Sequence, residues 1–224
     1  NKTKLWKYIM SSNLKKRIFT SIGLLFLVLL IFRFNLALIY CLILIGVLSI
    51  LEFIQITKKI FKNNLGLILI NKIFILYIFL FCYLFLILSN QFNWKLIIYI
   101  LLLGCVASDI GGFIFGKTFK GPKLTKMSPN KTYAGALGSI FLTMLIMTIL
   151  FNLIMTQFTF KILLIGLIVS ITCQLGDLFF SLLKRKAKIK DTGNFLPGHG
   201  GILDRIDGIL VGLPVGFITM AVIF

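Results

Sequence analysis

Apolar runs long enough to cross a bilayer follow one another along nearly the whole chain, separated by short clusters rich in Lys, Arg, Asn and Gly. A spanning helix needs about 20 predominantly apolar residues. The pattern predicts seven such helices, at 18–34, 36–56, 73–89, 95–116, 135–156, 162–183 and 207–224. The first two are separated only by a very tight turn at Arg33–Asn35. The third is set to begin after Asn71 and Lys72, which interrupt an apolar stretch starting at Leu65. No alternating, strand-like period competes with these runs. The expected fold is therefore all-α: a polytopic helical integral membrane protein with about seven transmembrane helices.

Composition agrees. Of 224 residues, 59% are hydrophobic, and the mean hydropathy is +1.05. These values exclude an ordinary soluble domain. No polar or Pro/Ser-rich linker divides the chain, so residues 1–224 are expected to form one membrane-embedded domain. The four cysteines, Cys41, Cys82, Cys105 and Cys173, lie in apolar runs without a CxxC pair, as small buried hydrophobes do. The basic start, Asn1 to Arg17, resembles the opening of a signal peptide. No small-residue cleavage site follows it, and a second span comes at once, so a retained first helix is expected. Trp6, Tyr8 and Ile9 among those lysines suit a short amphipathic segment on an anionic membrane surface, and equally a solvated basic tail.

Charge sets the orientation. The net charge is +18, from 24 Lys and Arg against six acids. Loops 1–17, 57–72, 117–134 and 184–206 hold 21 of the 24 basic residues, and the opposite side holds three, Arg33, Lys95 and Lys161. So strong a bias places the basic side in the cytoplasm. The N-terminus is then cytoplasmic and Phe224 extracytoplasmic. The basic loops are explained by anchoring and by anionic substrates, and a nucleic-acid partner is not expected.

Five of the six acids, Asp109, Asp177, Asp191, Asp204 and Asp207, lie in or beside basic, glycine-punctuated segments. Carboxylates at membrane depth are expensive and mark function. With this topology Asp109, Asp177, Asp204 and Asp207 fall in one layer near the cytoplasmic face. Asp204 and Asp207, three residues apart, share a helix side. The segment from Cys173 reads CQLGDLFFSLLKRKAKIKDTGNFLPGHGGILDRIDG. Its aspartates are hard oxygen donors suited to Mg²⁺. Lys184, Arg185, Lys186, Lys188 and Lys190 form a cationic run, which alone would be read as positive-inside anchoring. Gly198, Gly200 and Gly201 allow close approach of backbone to phosphate. Arg205 can fork onto a phosphate or be held by its acidic neighbours. His199, the one histidine, would alone be read as a structural hydrogen-bonder. Three glycines, a histidine, an arginine and two aspartates within ten residues have no economical structural explanation.

The stretch Ser181-Leu-Leu-Lys-Arg, then Lys190-Asp-x-Gly, then Leu196-Pro-Gly-His-Gly-Gly-Ile-Leu-Asp-Arg-Ile-Asp207 resembles the signature of the phosphatidate cytidylyltransferase (CDP-diacylglycerol synthase) family, without a break over its 27 positions. A second block, Ser108-Asp-Ile-Gly-Gly-Phe-Ile-Phe-Gly-Lys117 with Gly121-Pro-Lys-Leu and Ser128-Pro-Asn-Lys-Thr132, is similar to the family's middle motif. One position departs: the family usually carries Glu immediately before Gly135, and this chain has Ala134. The resemblance covers roughly residues 101–224, the expected catalytic portion. Residues 1–100 resemble the family only in hydropathy.

The resemblance implies the reaction phosphatidate + CTP → CDP-diacylglycerol + pyrophosphate, on the cytoplasmic side of the cell (inner) membrane. It implies catalytic roles for Asp177, Asp204, Asp207, His199 and Arg205. Substrate binding falls to Lys131, Lys184, Arg185, Lys190, Asp191, Gly200 and Gly201. Metal binding falls to Asp177, Asp204 and Asp207, with Asp109 as a weaker member. The expected cofactor is Mg²⁺, with room for a second cation. The expected partners are CTP, phosphatidic acid and membrane lipids, and a homodimer is allowed. A CTP-dependent lipid kinase would need similar loops, but the His-Gly-Gly-x-x-Asp-Arg-x-Asp stretch favours cytidylyl transfer. A CDP-alcohol phosphotransferase lacks its D-G-x-x-A-R signature here. An ion-coupled transporter would place its acids near the midplane between repeats, and no internal repeat is evident.

Overall fold

A computed structural model describes residues 23, 26–61, 64–125, 128, 131–155, 160–193 and 200–223. Its elements are helical: α1, described over 26–33, then α2 (Asn35–Ile60), α3 (Asn64–Ser89), α4 (Phe92–Phe119), α5 (Tyr133–Met155), α6 (Phe160–Lys186) and α7 (Leu203–Ile223). Among the described residues the only bridge between extended segments pairs Lys123 with Thr132. Six helices, α2 to α7, are long and apolar enough to cross a membrane. A helix of 26 residues such as α2 is about 39 Å long, more than a hydrocarbon core requires. The protein is a polytopic helical membrane protein. Residues 18–22, 24 and 25 of the first expected span lie outside the described residues, as do His199, Gly198 and Phe224.

The turn expected at Arg33–Asn35 is a single residue. Phe34 is extended (φ −120°, ψ 114°) between α1 and α2. The third helix differs from expectation. It begins at Asn64 and runs through Asn71 and Lys72 rather than starting after them. The reason is a partner: buried Asn71 accepts a hydrogen bond from Thr57 Oγ1 at 2.8 Å. A paired amide no longer opposes burial. Lys72 is exposed and can extend along the helix surface. Phe53 and Phe74, stacked with ring centroids 3.8 Å apart, pack α2 on α3 beside this pair.

Packing groups the described chain into two compact units. One comprises the described residues up to Cys82 with Ile189–Arg205, and the other comprises Tyr83–Lys188 with Ile206 onward. In the second unit α4, α5 and α6 are held by small residues and hydroxyls. A Cβ on Gly111 would lie 2.5 Å from the Gly138 carbonyl oxygen, and one on Gly135 would lie 2.8 Å from that of Gly112. Ser139 Oγ donates to the Ser108 carbonyl at 2.7 Å, Ser108 and Ser170 hydroxyls meet at 3.2 Å, and Gln174 Nε2 donates to the Ala136 carbonyl at 3.3 Å. Close backbone approach and interhelical hydrogen bonds are the usual adhesives of helices in lipid, where no hydrophobic force drives helices together.

Candidate active site

The loop before α5 is built to deliver one lysine. Leu124 N–H donates to the Lys131 carbonyl at 2.7 Å, and Lys131 N–H donates to the Ser128 carbonyl at 3.0 Å. Thr132 then caps α5, its hydroxyl oxygen accepting the Gly135 N–H at 3.1 Å. A threonine cap fixes where a helix starts, so Lys131 is held immediately before α5. Its ammonium forms an ion pair with the Asp177 carboxylate on α6. Ser181, one turn along α6, donates to the other Asp177 oxygen at 3.3 Å.

Helices α6 and α7 meet through glycine. A Cβ on Gly176 would come within 2.7 Å of the Asp207 carbonyl oxygen, and one on Gly208 would lie 3.2 Å from that of Cys173. This approach brings Asp207 into electrostatic range of Asp177, and Asp109 of α4 and Lys184 of α6 act on it as well. Asp207 is only 7% exposed, and its Oδ1 accepts the Gly208 N–H at 2.9 Å. Asp207 thus feels the charges of Asp177, Lys184 and Asp109, and Asp177 is itself paired with Lys131. All five residues belong to the second unit. Gly176→Leu should drive the helices apart at this point. Overpacking of this kind costs about 1–3 kcal/mol, so the thermal midpoint in detergent should fall clearly. An unchanged midpoint would show that the approach at Gly176 is dispensable.

Asp204, expected to pair with Asp207, is gripped by the backbone of its own loop. Its Oδ2 accepts the N–H groups of Thr192, at 2.8 Å, and Gly201, at 3.1 Å. All three belong to the first unit. Lys190, Asp191 and Arg205 are exposed around this loop, and Arg185 is exposed in the last turn of α6. Gly200 adopts φ +85°, a left-handed conformation that suits glycine. A Cβ on it would also lie 3.2 Å from Asp204 Oδ2.

The donor set fits a hard divalent cation in kind, because oxygen ligands are what Mg²⁺ takes and the buried Asp207 faces other anions. The carboxylates stand as separate groups rather than a closed shell. Among the described residues no three His, Cys, Asp or Glu side chains are gathered to hold one ion.

Glu52, the sixth acid, was not among the expected site residues. It sits on α2 at 1% exposure. Its carboxylate accepts the Thr192 hydroxyl at 2.6 Å, Ile202 N–H at 3.0 Å and Leu203 N–H at 2.9 Å. The available signal was its isolation in an apolar run, since an ionisable residue there marks function by default.

The sequence profile described as the cytidylyltransferase family matches residues 69–223. The chain belongs to the cytidylyltransferase family. The match begins within α3, upstream of the two signature blocks, and leaves Glu52 outside. The chain is 41% identical over 133 residues to the phosphatidate cytidylyltransferase of Rickettsia bellii, covering 56% of this chain and 57% of that one. It is 43% identical over 119 residues to that of Bacillus subtilis, covering 51% and 44%. It is 41% identical over 112 residues to that of Helicobacter pylori strain 26695, covering 50% and 42%. The chain thus spans about half the length of the curated relatives it matches. Asp109, Lys131, Asp177, Lys184 and Asp207 of the second unit, and Thr192, Gly200, Gly201 and Asp204 of the first, all lie inside the matched residues.

Proposed function

We propose that this protein transfers the cytidylyl group of CTP to phosphatidic acid, releasing CDP-diacylglycerol and pyrophosphate. The observation that carries the reading is the Lys131–Asp177 ion pair beside the buried Asp207, which lies within electrostatic range of Asp177, Lys184 and Asp109. Asp109, Lys131, Lys184 and Asp207 come from the signature blocks, Asp177 lies one turn before the block that opens at Ser181, and relatives about 40% identical are named phosphatidate cytidylyltransferase.

An oxygen of the phosphatidate phosphate attacks the α-phosphorus of CTP, and the bond from that phosphorus to the bridging oxygen of the β-phosphate breaks. Pyrophosphate carries away the electron pair. The attacking phosphate is already ionised at neutral pH, so no strong base is required. The protein's task is to position two polyanions and offset their repulsion. Lys131 and Lys184 supply positive charge beside the carboxylates. Arg185, Lys190 and Arg205 are exposed cations suited to the triphosphate or the lipid phosphate, with Asp191, Gly200 and Gly201 shaping the loop between them. Mg²⁺, if held by Asp177 and Asp207 with Asp109 as a further oxygen donor, would add charge neutralisation and orientation of phosphate oxygens. The acyl chains remain in the bilayer.

The cytoplasmic face of the cell membrane is where CTP is supplied, and the basic loops point the reaction there. In sealed inside-out vesicles containing phosphatidate, CTP added outside should yield CDP-diacylglycerol. Right-side-out vesicles should yield none until made permeable. Product from intact right-side-out vesicles would reverse the orientation, and no product from either after permeabilisation would remove the function.

A further inference from the structure

The Glu52 carboxylate gathers three donors that lie 140 to 151 residues away in sequence: the Thr192 hydroxyl and the N–H groups of Ile202 and Leu203. Those two amides open α7, where backbone donors have no partner within the helix. Helices usually satisfy them with a local Ser, Thr, Asp or Asn. Here the acceptor comes from α2 and is a carboxylate taken out of solvent, an expensive choice that an apolar residue would avoid.

The surrounding residues are shaped to admit it. A Cβ on Gly193 would lie 2.6 Å from Glu52 Oε1, and one on Gly201 would strike both Glu52 Oε2 and the Thr192 hydroxyl. Thr192 is the shared member of two carboxylate grips. Its hydroxyl goes to Glu52 and its N–H to Asp204, while Gly201 N–H also goes to Asp204. Both ends of the glycine loop, at Thr192 and at Gly201–Leu203, are thereby tied to the same two carboxylates. Lys190 and Asp191 sit just outside one tie, and Arg205 just outside the other.

We infer that Glu52 is a positioning residue for cytidylyl transfer: it fixes the two ends of the glycine loop, and so the phosphate-holding groups that flank them, without touching substrate. The inference rests on the proposed function. It predicts a loss of turnover in correctly folded protein, because displacement of a positioning group by about 1 Å can cost up to about 10²-fold.

The test uses the full chain purified in detergent with phosphatidate, with kcat, KM for CTP and the thermal midpoint measured for each variant. Thr192→Val keeps the shape and removes the hydroxyl, and Thr192→Ser restores it. Thr192→Val should lower kcat/KM about tenfold or more at a temperature where the protein is fully folded, with Thr192→Ser within about threefold of wild type. Glu52→Gln keeps the size but turns an N–H₂ toward a donor, and should lose at least as much as Thr192→Val. Combining Glu52→Gln with Thr192→Val should add little further loss, since both break one grip. If the variants kept kcat and KM within about twofold of wild type while only the thermal midpoint fell, Glu52 would be a structural anchor and the inference overturned. If Glu52→Gln fails to accumulate, the Thr192 pair decides by the same criterion. A wild-type protein without transfer would overturn the proposed function itself. Active wild type with indifferent Thr192 variants overturns this inference alone.

Discussion

Asp207→Asn should reduce turnover by about 10²-fold or more and leave the folded protein at least as stable. The two effects have opposite signs because the residue's position serves chemistry at a cost to the fold. Asp207 is nearly fully buried, and its electrostatic neighbours include two further carboxylates, Asp177 and Asp109, against one lysine, Lys184. Asparagine has the same shape and retains an oxygen for the Gly208 N–H. It removes a charge that burial and like-charged neighbours both penalise. Stability should therefore hold or rise, as commonly happens when a strained functional group is neutralised. In the proposed reaction the anion is a ligand for a divalent cation, and even a supporting partner of a metal site can cost about 10–100-fold. The measurement is a thermal midpoint and a turnover rate on the same preparation. Turnover within a few-fold of wild type would remove Asp207 from the chemistry. A collapse of the midpoint would show that the carboxylate is structural.

Lys131→Met is expected to show the reverse pattern of charge with an equally large loss, about 10²-fold in kcat/KM for CTP. Hydrogen bonds to Leu124 and Ser128 and the threonine cap of α5 fix the Lys131 backbone beside Asp177. Its ammonium neutralises Asp177, so removing it leaves that carboxylate unpaired within electrostatic range of Asp207. Two polyanionic substrates must approach that region, and each unpaired carboxylate works against them. The ion pair is partly exposed, and such pairs contribute only about 0–1 kcal/mol to stability. The thermal midpoint should therefore move little. Lys131→Arg keeps the charge and should recover part of the loss. Equal activity in the Met and Arg variants would show that the charge at this position is not used.

The helical spans were legible in the sequence because the bilayer imposes a length and a composition that few other structures share. Spans α4 to α7 fall within a few residues of the expected bounds. The exception, α3, starts nine residues early because Asn71 is satisfied by Thr57, and a side-chain partner on another helix leaves no mark in a hydropathy pattern. The placement of Asp177 and Asp207 on neighbouring helices follows from Gly176 and Gly208, which flank the signature block rather than belong to it. The engagement of Asp204 was not legible. A three-residue spacing says which side of a helix two residues share, but not that the nearer one is occupied by the backbone of its own loop. Glu52 escaped for a similar reason. Its partners are more than a hundred residues away, and no local spacing announces a contact of that range. His199 lies outside the described residues, and its role stays where the family resemblance put it.

The central claim is that the α-phosphate of CTP, with its cytidine, moves to the lipid. Purified protein should be given phosphatidate and CTP carrying label at either the α- or the γ-phosphate. Cytidylyl transfer predicts that the α-label enters the chloroform-soluble product while the γ-label leaves as pyrophosphate, one for each lipid formed. Transfer of the γ-label to lipid, with the α-label remaining in CDP, would identify a CTP-dependent lipid kinase and contradict the account.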